Sequence, residues 1–123
     1  MKLRIRGNSI RLRLSKSEVK KFGAIGRVEE TIQFGQDSGG DLIYVLTQAD
    51  VPKLQCEFQN NIIQIFVPTE LAKVWVETDL VGLEHLDKIT AKDSLRILVE
   101  KDFKCLHVRF DEDEADTYRM TND

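Results

Sequence analysis

The feature that most constrains this chain is a change of parity. Leu3 and Ile5 are apolar at odd positions, Ile10, Leu12 and Leu14 at even ones, and the switch falls at Gly7-Asn8. Alternation with a period of two is the mark of a half-buried strand. A parity switch is what a two-residue hairpin loop needs if both strands are to turn their apolar side chains to one face. The register that results pairs Ile5 with Ile10 and Leu3 with Leu12, whereas a three-residue loop would set Arg6 against Ile10 and mix the faces. Gly at the first loop position suits a type II′ turn. The same register gathers Lys2, Arg4, Arg6, Arg11 and Arg13 on the opposite face.

The logic recurs at residues 54–67. With Asn60-Asn61 as a type I′ turn, Phe58 faces Ile63, Cys56 faces Ile65 and Leu54 faces Val67. A helix is predicted after each hairpin. Ser15 and Glu18 form a capping box before Val19, Phe22 and Ile25, and Gly23 or Gly26 ends the helix. Pro68 and Thr69 open the second helix, with Thr69 as N-cap and Leu71, Val74 and Trp75 on one face. Two strands follow each helix. Residues 27–34 put Val28, Ile32 and Phe34 on one face with Glu30 between them, and 42–48 is apolar on both faces, as a central strand is. The second half offers strands near 80–86 and 95–99 and a further strand-like stretch at 103–110, with Glu100-Lys101-Asp102 as either a turn or a bulge. Residues 35–41, 49–53 and 87–94 read as connections.

The halves align without gaps at an offset of 53. Asn8 falls on Asn61, Ile10 on Ile63, Lys20 on Lys73, Val28 on Val81 and Leu42 on Leu95, while Phe22 meets Trp75 and Tyr44 meets Ile97. We therefore expect an α+β domain built by internal duplication. It would have about eight mainly antiparallel strands and two short helices, its sheet strongly curved or closed as a barrel. The domain spans 1–110, with pseudo-repeats 1–48 and 54–101. Residues 111–123 hold Asp111, Glu112, Asp113, Glu114, Asp116 and Asp123 against Arg119, an acidic tail expected to be disordered or to dock on the basic face.

Charge is where composition becomes informative. Residues 1–27 carry nine basic side chains and one acid, a net +8. The rest of the 123-residue chain has nine bases and twenty acids, a net −11, and the whole is −3. In the repeat, Lys2, Arg4, Arg6, Arg11 and Arg13 map onto Gln55, Glu57, Gln59, Gln64 and Phe66, so the scaffold does not require the cations. Pairs such as Arg4 with Arg11 and Lys2 with Arg13 oppose like charges across a hairpin, which is destabilising unless something offsets it. An anionic ligand, an acidic partner or the chain's own acids would do so. Arg binds phosphate and carboxylate through paired planar hydrogen bonds, and Lys2, Arg4, Arg6, Arg11 and Arg13 are the candidate anion-binding residues. Nucleic acid is disfavoured, because the face lacks interleaved aromatics and the net charge is negative.

Other chemistry is sparse. Cys56 and Cys105 have no CxxC spacing, so a zinc ribbon is excluded and buried free thiols are expected. Cys105 and His107, spaced i, i+2, would share a strand face and with His85 and a tail carboxylate could bind a transition metal, though the spacing favours ordinary strand residues. Nucleophile-elbow, zincin and P-loop motifs are missing. Glu29, Glu30 and Glu84 are the carboxylates available for acid–base chemistry or Mg²⁺. Glu30, on an apolar face, needs a partner that a hairpin arginine would supply. No cofactor is implied. No apolar run approaches a membrane span and residues 1–14 lack the apolar block of a signal peptide, so a cytoplasmic protein without membrane contact is expected.

The segment Arg4-Ile5-Arg6-Gly7-Asn8-Ser9-Ile10-Arg11-Leu12-Arg13-Leu14 through Glu18-Val19 resembles the opening of a family of small uncharacterised bacterial proteins, a domain of unknown function. Leu98-Val99-Glu100-Lys101-Asp102-Phe103, Cys105-Leu106 and Glu112-Asp113-Glu114 resemble its carboxy-terminal part. The resemblance covers nearly the whole chain and implies a bacterial protein, with no activity attached. In architecture the chain also resembles the triphosphate-tunnel superfamily, a duplicated helix-plus-four-strand unit whose Arg-x-Arg strands are similar to Arg4-Ile5-Arg6 and Arg11-Leu12-Arg13. Its Glu-x-Glu-x-Lys is replaced here by Lys2-Leu3-Arg4-Ile5-Arg6, so at most anion binding carries over. The expectation is a non-enzymatic anion- or phosphate-binding domain. Its alternatives are a metal-dependent phosphate-transforming enzyme and a homodimer or protein-interaction module.

Overall fold

In the computed structural model, which describes residues 1–35 and 40–103, neither half of the chain completes a sheet by itself. The elements are β1 (Lys2–Arg6), β2 (Ser9–Leu14), α1 (Lys16–Ile25), β3 (Arg27–Ile32) and β4 (Leu42–Ala49), then β5 (Gln55–Gln59), β6 (Ile62–Pro68), α2 (Thr69–Glu77), β7 (Gly82–Lys88) and β8 (Ser94–Lys101). The first sheet is ordered β1-β2-β8-β7 and the second β3-β4-β6-β5. Each joins the hairpin of one half to the last two strands of the other through a central parallel pair, β2 with β8 and β4 with β6. Among the described residues all other pairings are antiparallel.

The strand register repeats between the two halves. Ile10 pairs with Ile97 and Leu12 with Val99; moving every number by 53 gives the observed pairs Tyr44 with Ile63 and Leu46 with Ile65. Hydrogen bonds repeat as well: the Arg96 amide donates to the Asn8 carbonyl and the Ile43 amide to the Asn61 carbonyl, both at 3.0 Å. A pseudo-twofold thus exchanges the two sheets. The ungapped alignment fails at one place. Val28 pairs with Leu46 and Leu83 with Val99, so the partner of Val28 in the repeat is Leu83, 55 residues on, and not Val81. Gly26 alone joins α1 to β3, whereas Thr78 to Val81 join α2 to β7.

Both turns form as expected. Gly7 has φ +55° and Asn8 is not left-handed, as in a type II′ turn, while Asn60 and Asn61 have φ of 53° and 63°, as in type I′. The Ser15–Glu18 capping box is present and Gly26, at φ 83°, closes α1. The second helix differs. Pro68 occupies the N-cap without a side-chain bond and Thr69 is already helical, its hydroxyl donating to the Ala49 carbonyl. The repeat explains this: Pro68 stands where Ser15 stands, so Thr69 is one residue too late to cap. The buried face of α2 is Ala72 and Trp75, with Leu71 and Val74 exposed, and in α1 it is Val19 and Phe22, with Ile25 exposed. Ile32 and Phe34 are also exposed; β3 is an edge strand and ends before Phe34.

One core serves the molecule. Leu12, Leu14, Ile97 and Val99 from the first sheet meet Leu46, Ile65 and Val67 from the second, and Phe22 and Trp75 from the helices, all without exposed surface. Each contributes about 1.5–3 kcal/mol of burial. The sheets keep separate ladders with β1, β7, β3 and β5 at their edges, so the expected closure into a barrel does not form. Segment 95–101 is a single strand, β8, which settles Glu100-Lys101 as strand residues. The strand expected at 103–110, Cys105, His107 and the acidic tail lie outside the described residues. Among the described residues no helix is long and apolar enough to cross a membrane.

Candidate anion site

The outer face of the first sheet is built by the parity that made the hairpin. Leu3, Ile10, Leu12, Ile97 and Val99 point to the core, so the alternate residues face outward. Register aligns them in rows: Arg6, Ser9, Arg96 and Leu86; then Arg4, Arg11, Leu98 and Glu84; then Lys2, Arg13, Glu100 and Gly82. Six cations therefore sit in these three rows. The matching face of the second sheet carries Gln55, Glu57, Gln59, Gln64 and Phe66 instead.

The rows are not equivalent. At the end nearest the helices the charge is matched by acids: Lys2 Nζ lies 2.7 Å from Asp102 Oδ2, and Glu100 Oε1 lies 2.9 Å from Arg11 Nε and 3.9 Å from Arg13 Nε. The side chains of Arg11 and Arg13 are only 12% and 14% exposed. At the turn end, Arg4, Arg6, Gly7, Ser9, Arg11 and Arg96 line an open dish of about 500 Å³. Arg96 Nε donates to Glu84 Oε1 at 2.7 Å. That hydrogen bond, with the charges of Arg96 and Arg11, holds the Glu84 carboxyl below its usual value against a smaller opposing effect of burial.

Of the five residues expected to bind an anion, Arg4, Arg6 and Arg11 border the dish, while Lys2 and Arg13 sit in the acid-matched row. Arg96 completes the dish. Its outward parity in the run Leu95 to Val99 was legible, but the pairing of β2 with β8 that brings it beside Ser9 was not.

The three carboxylates with potential for acid–base or Mg²⁺ chemistry are not brought together. Glu84 is on the outer face of the first sheet, Glu29 is paired with Arg27 at 3.2 Å, and Glu30 is on the inward-facing side of β3. The partner of Glu30 is not a hairpin arginine. The amino-terminal ammonium of the half-buried Met1 pairs with Glu30 Oε1 at 2.8 Å and with Glu18 Oε2, and the Tyr44 hydroxyl donates to the Met1 carbonyl at 2.9 Å. Burial pulls the ammonium pKa down, but the two carboxylates together hold it above its usual 8.0. Among the described residues no group of His, Cys, Asp and Glu is placed to hold a metal ion. His85 lies 3.8 Å from Asp87 Oδ1, on the opposite side of its sheet from the dish.

Neither the curated proteins nor the solved structures gave a match to this chain. Residues 1–122 match a family of unknown function, DUF7009, and on that coverage the chain belongs to this family.

Proposed function

We propose that the protein is a non-enzymatic anion-binding module of the bacterial cytoplasm, and that the dish takes a phosphate-bearing or similarly anionic ligand. The observation that carries this reading is the segregation of Arg4, Arg6, Arg11 and Arg96 around one concavity, on only one of two sheets that the duplication otherwise makes equivalent. Folding does not call for these side chains, since the second sheet forms the same ladder with Glu57, Gln59, Gln64 and Ile43 in their places. Four guanidinium groups around about 500 Å³ supply the forked donors that phosphate oxygens accept. The free Cys56 thiol suits a reducing compartment.

Thermal unfolding with ATP, polyphosphate or heparin tests the reading. Each should raise the melting temperature at low salt, less so at high salt. Replacing Arg4, Arg6, Arg11 and Arg96 by Gln should remove the shift. A protein unmoved by every anion would leave the face to self-pairing or to an acidic protein partner.

A further inference from the structure

Another concavity lies between the sheets at their turn end. Ile5, Ile10 and Leu95 from the first sheet and Leu42, Cys56, Phe58 and Ile63 from the second line a cleft of about 420 Å³ that is almost wholly apolar. Its walls obey the pseudo-twofold: Ile5 corresponds to Phe58, Ile10 to Ile63 and Leu42 to Leu95. Ile5 and Phe58 are 61% and 68% exposed, so two large apolar side chains stand at an open mouth. An exposed apolar cleft of this size is within the range of small-molecule sites.

Symmetry is broken at the rim. Gly7 and Ser9 border both this cleft and the arginine dish, so the two concavities meet across the β1–β2 turn. The equivalent turn at Asn60-Asn61 does not border the cleft, and the two rows of the second sheet nearest it, Gln59, Ile62, Ile43 and Thr31, then Glu57, Gln64, Val45 and Glu29, carry no arginine. An apolar cavity thus continues into a cationic one on one side only. The shared rim is firm: the Asn8 side-chain amide donates to the Ser94 carbonyl at 2.7 Å and the Asn8 carbonyl accepts from the Arg96 amide.

We propose that dish and cleft form one site for a monomeric amphiphilic anion, with a phosphate or carboxylate head at Arg6 and Arg96 and an unbranched apolar tail running over Gly7 and Ser9 between the sheets. This rests on the anion-binding reading and narrows it to a ligand class. Arg6 ends β1 at the turn, and Arg96 lies one strand beyond Ser9 in the same row, so both flank the point where the tail enters. A short inorganic anion would use only half of the site.

Calorimetric titration with methyl, butyl, hexyl and octyl phosphate, each below its micelle threshold and at constant ionic strength, separates the two readings. The expected result is an affinity that rises with chain length, by up to about fourfold per methylene until the cleft is full. Arg6→Gln should weaken every member by a similar factor, and Phe58→Ser should flatten the chain-length dependence while leaving methyl phosphate unchanged. In a Cys105→Ser background, octyl phosphate should slow alkylation of Cys56 and methyl phosphate should not. Binding of all four with equal affinity would overturn the amphiphile inference and leave the anion site standing. Binding of octanol as tight as that of octyl phosphate would overturn the joined site. Failure of all four would sink both readings. Sedimentation of the protein with anionic phospholipid vesicles, without chain-length dependence for the monomers, would make the face a membrane patch and overturn the inference. A free-state dimer that Phe58→Ser dissociates would show a second copy in the cleft and do the same.

Discussion

Phe22 and Trp75 occupy the same place in the two halves and meet edge to face, their ring centroids 5.9 Å apart and their planes at 71°. Both are fully buried, and the Trp75 indole donates to the Val81 carbonyl at 3.0 Å. The contact ties α1 to α2 across the pseudo-twofold and sits where both sheets and both helices converge. Phe22→Ala should therefore cost about 3–5 kcal/mol, with little collapse available between two sheets. A double-mutant cycle with Phe22→Leu and Trp75→Phe, followed by urea unfolding, should give a coupling of about 0.5–1.5 kcal/mol. A coupling near zero would mean that the rings merely fill volume.

Gly23 should resist substitution by the residue that normally improves a helix. A Cβ added there would lie 2.7 Å from Val76 Cγ1 on α2, closer than carbon atoms approach. Ala in place of Gly gains about 1 kcal/mol in helix propensity. Overpacking costs about 1–3 kcal/mol, so Gly23→Ala should be neutral to destabilising by about 2 kcal/mol. The double variant Gly23→Ala with Val76→Ala should recover part of that loss in chemical denaturation.

The amino terminus should give stability a definite pH profile. The Met1 ammonium has its pKa raised in the fold, so its contribution is complete below its unfolded value of 8.0 and is lost as pH rises through the higher folded value. Glu18 has its pKa lowered; burial alone would raise it, but the hydrogen bonds from the terminus and from Ser15, with the charge of the terminus, outweigh burial. Its contribution is complete above 4.5 and is lost as pH falls through the lowered folded value. A plateau between about pH 5 and 8 should follow. Acetylating the terminus, or extending it by Gly-Ser, should cost about 1–2 kcal/mol and abolish the alkaline limb contributed by this group. Urea unfolding across pH 4–10 measures it.

What could be read from the chain, and what could not, divides along physical lines. Strand parity has period two, so Gly7-Asn8 and Asn60-Asn61 could each be placed to the residue. Parallel pairing leaves no such trace. Nothing in Ser9 to Leu14 announces Arg96 to Lys101 as its neighbour, which is why Arg96 escaped notice and why the halves looked like two units instead of two interleaved sheets. The identity of Val28 with Val81 concealed two extra residues after α2. Glu30 found its partner in a charge that no side chain carries, the chain terminus.

That interleaving has a direct consequence for folding. Residues 1–53 contain β1 and β2 in one sheet and β3 and β4 in the other, each lacking its central parallel partner. The apolar faces of Ile10, Leu12, Tyr44 and Leu46 would then be left without Ile97, Val99, Ile63 and Ile65. Either half alone should be unfolded by circular dichroism, and mixing the two should restore structure with the cooperativity of the intact chain. A half that folds as a monomer would refute this account of the architecture.

Glu100 sets stability against ligand affinity at the site itself. Its carboxylate lies 2.9 Å from Arg11 Nε and 3.9 Å from Arg13 Nε, and all three side chains are largely covered. Removing one member of such a set leaves its partners with unbalanced charge and costs more than a surface pair does. Glu100→Gln, which keeps shape and removes charge, should therefore destabilise the protein by about 1–2 kcal/mol. The same carboxylate competes with any bound anion for Arg11, which borders both the acid-matched row and the dish. Losing that competitor should tighten binding of ATP or an alkyl phosphate by about fivefold, near 1 kcal/mol, even as the melting temperature of the free protein falls. Opposite signs in the two measurements, made on one variant, separate a ligand site from a structural cluster. A cluster that serves folding alone would lose stability on Glu100→Gln and gain no affinity.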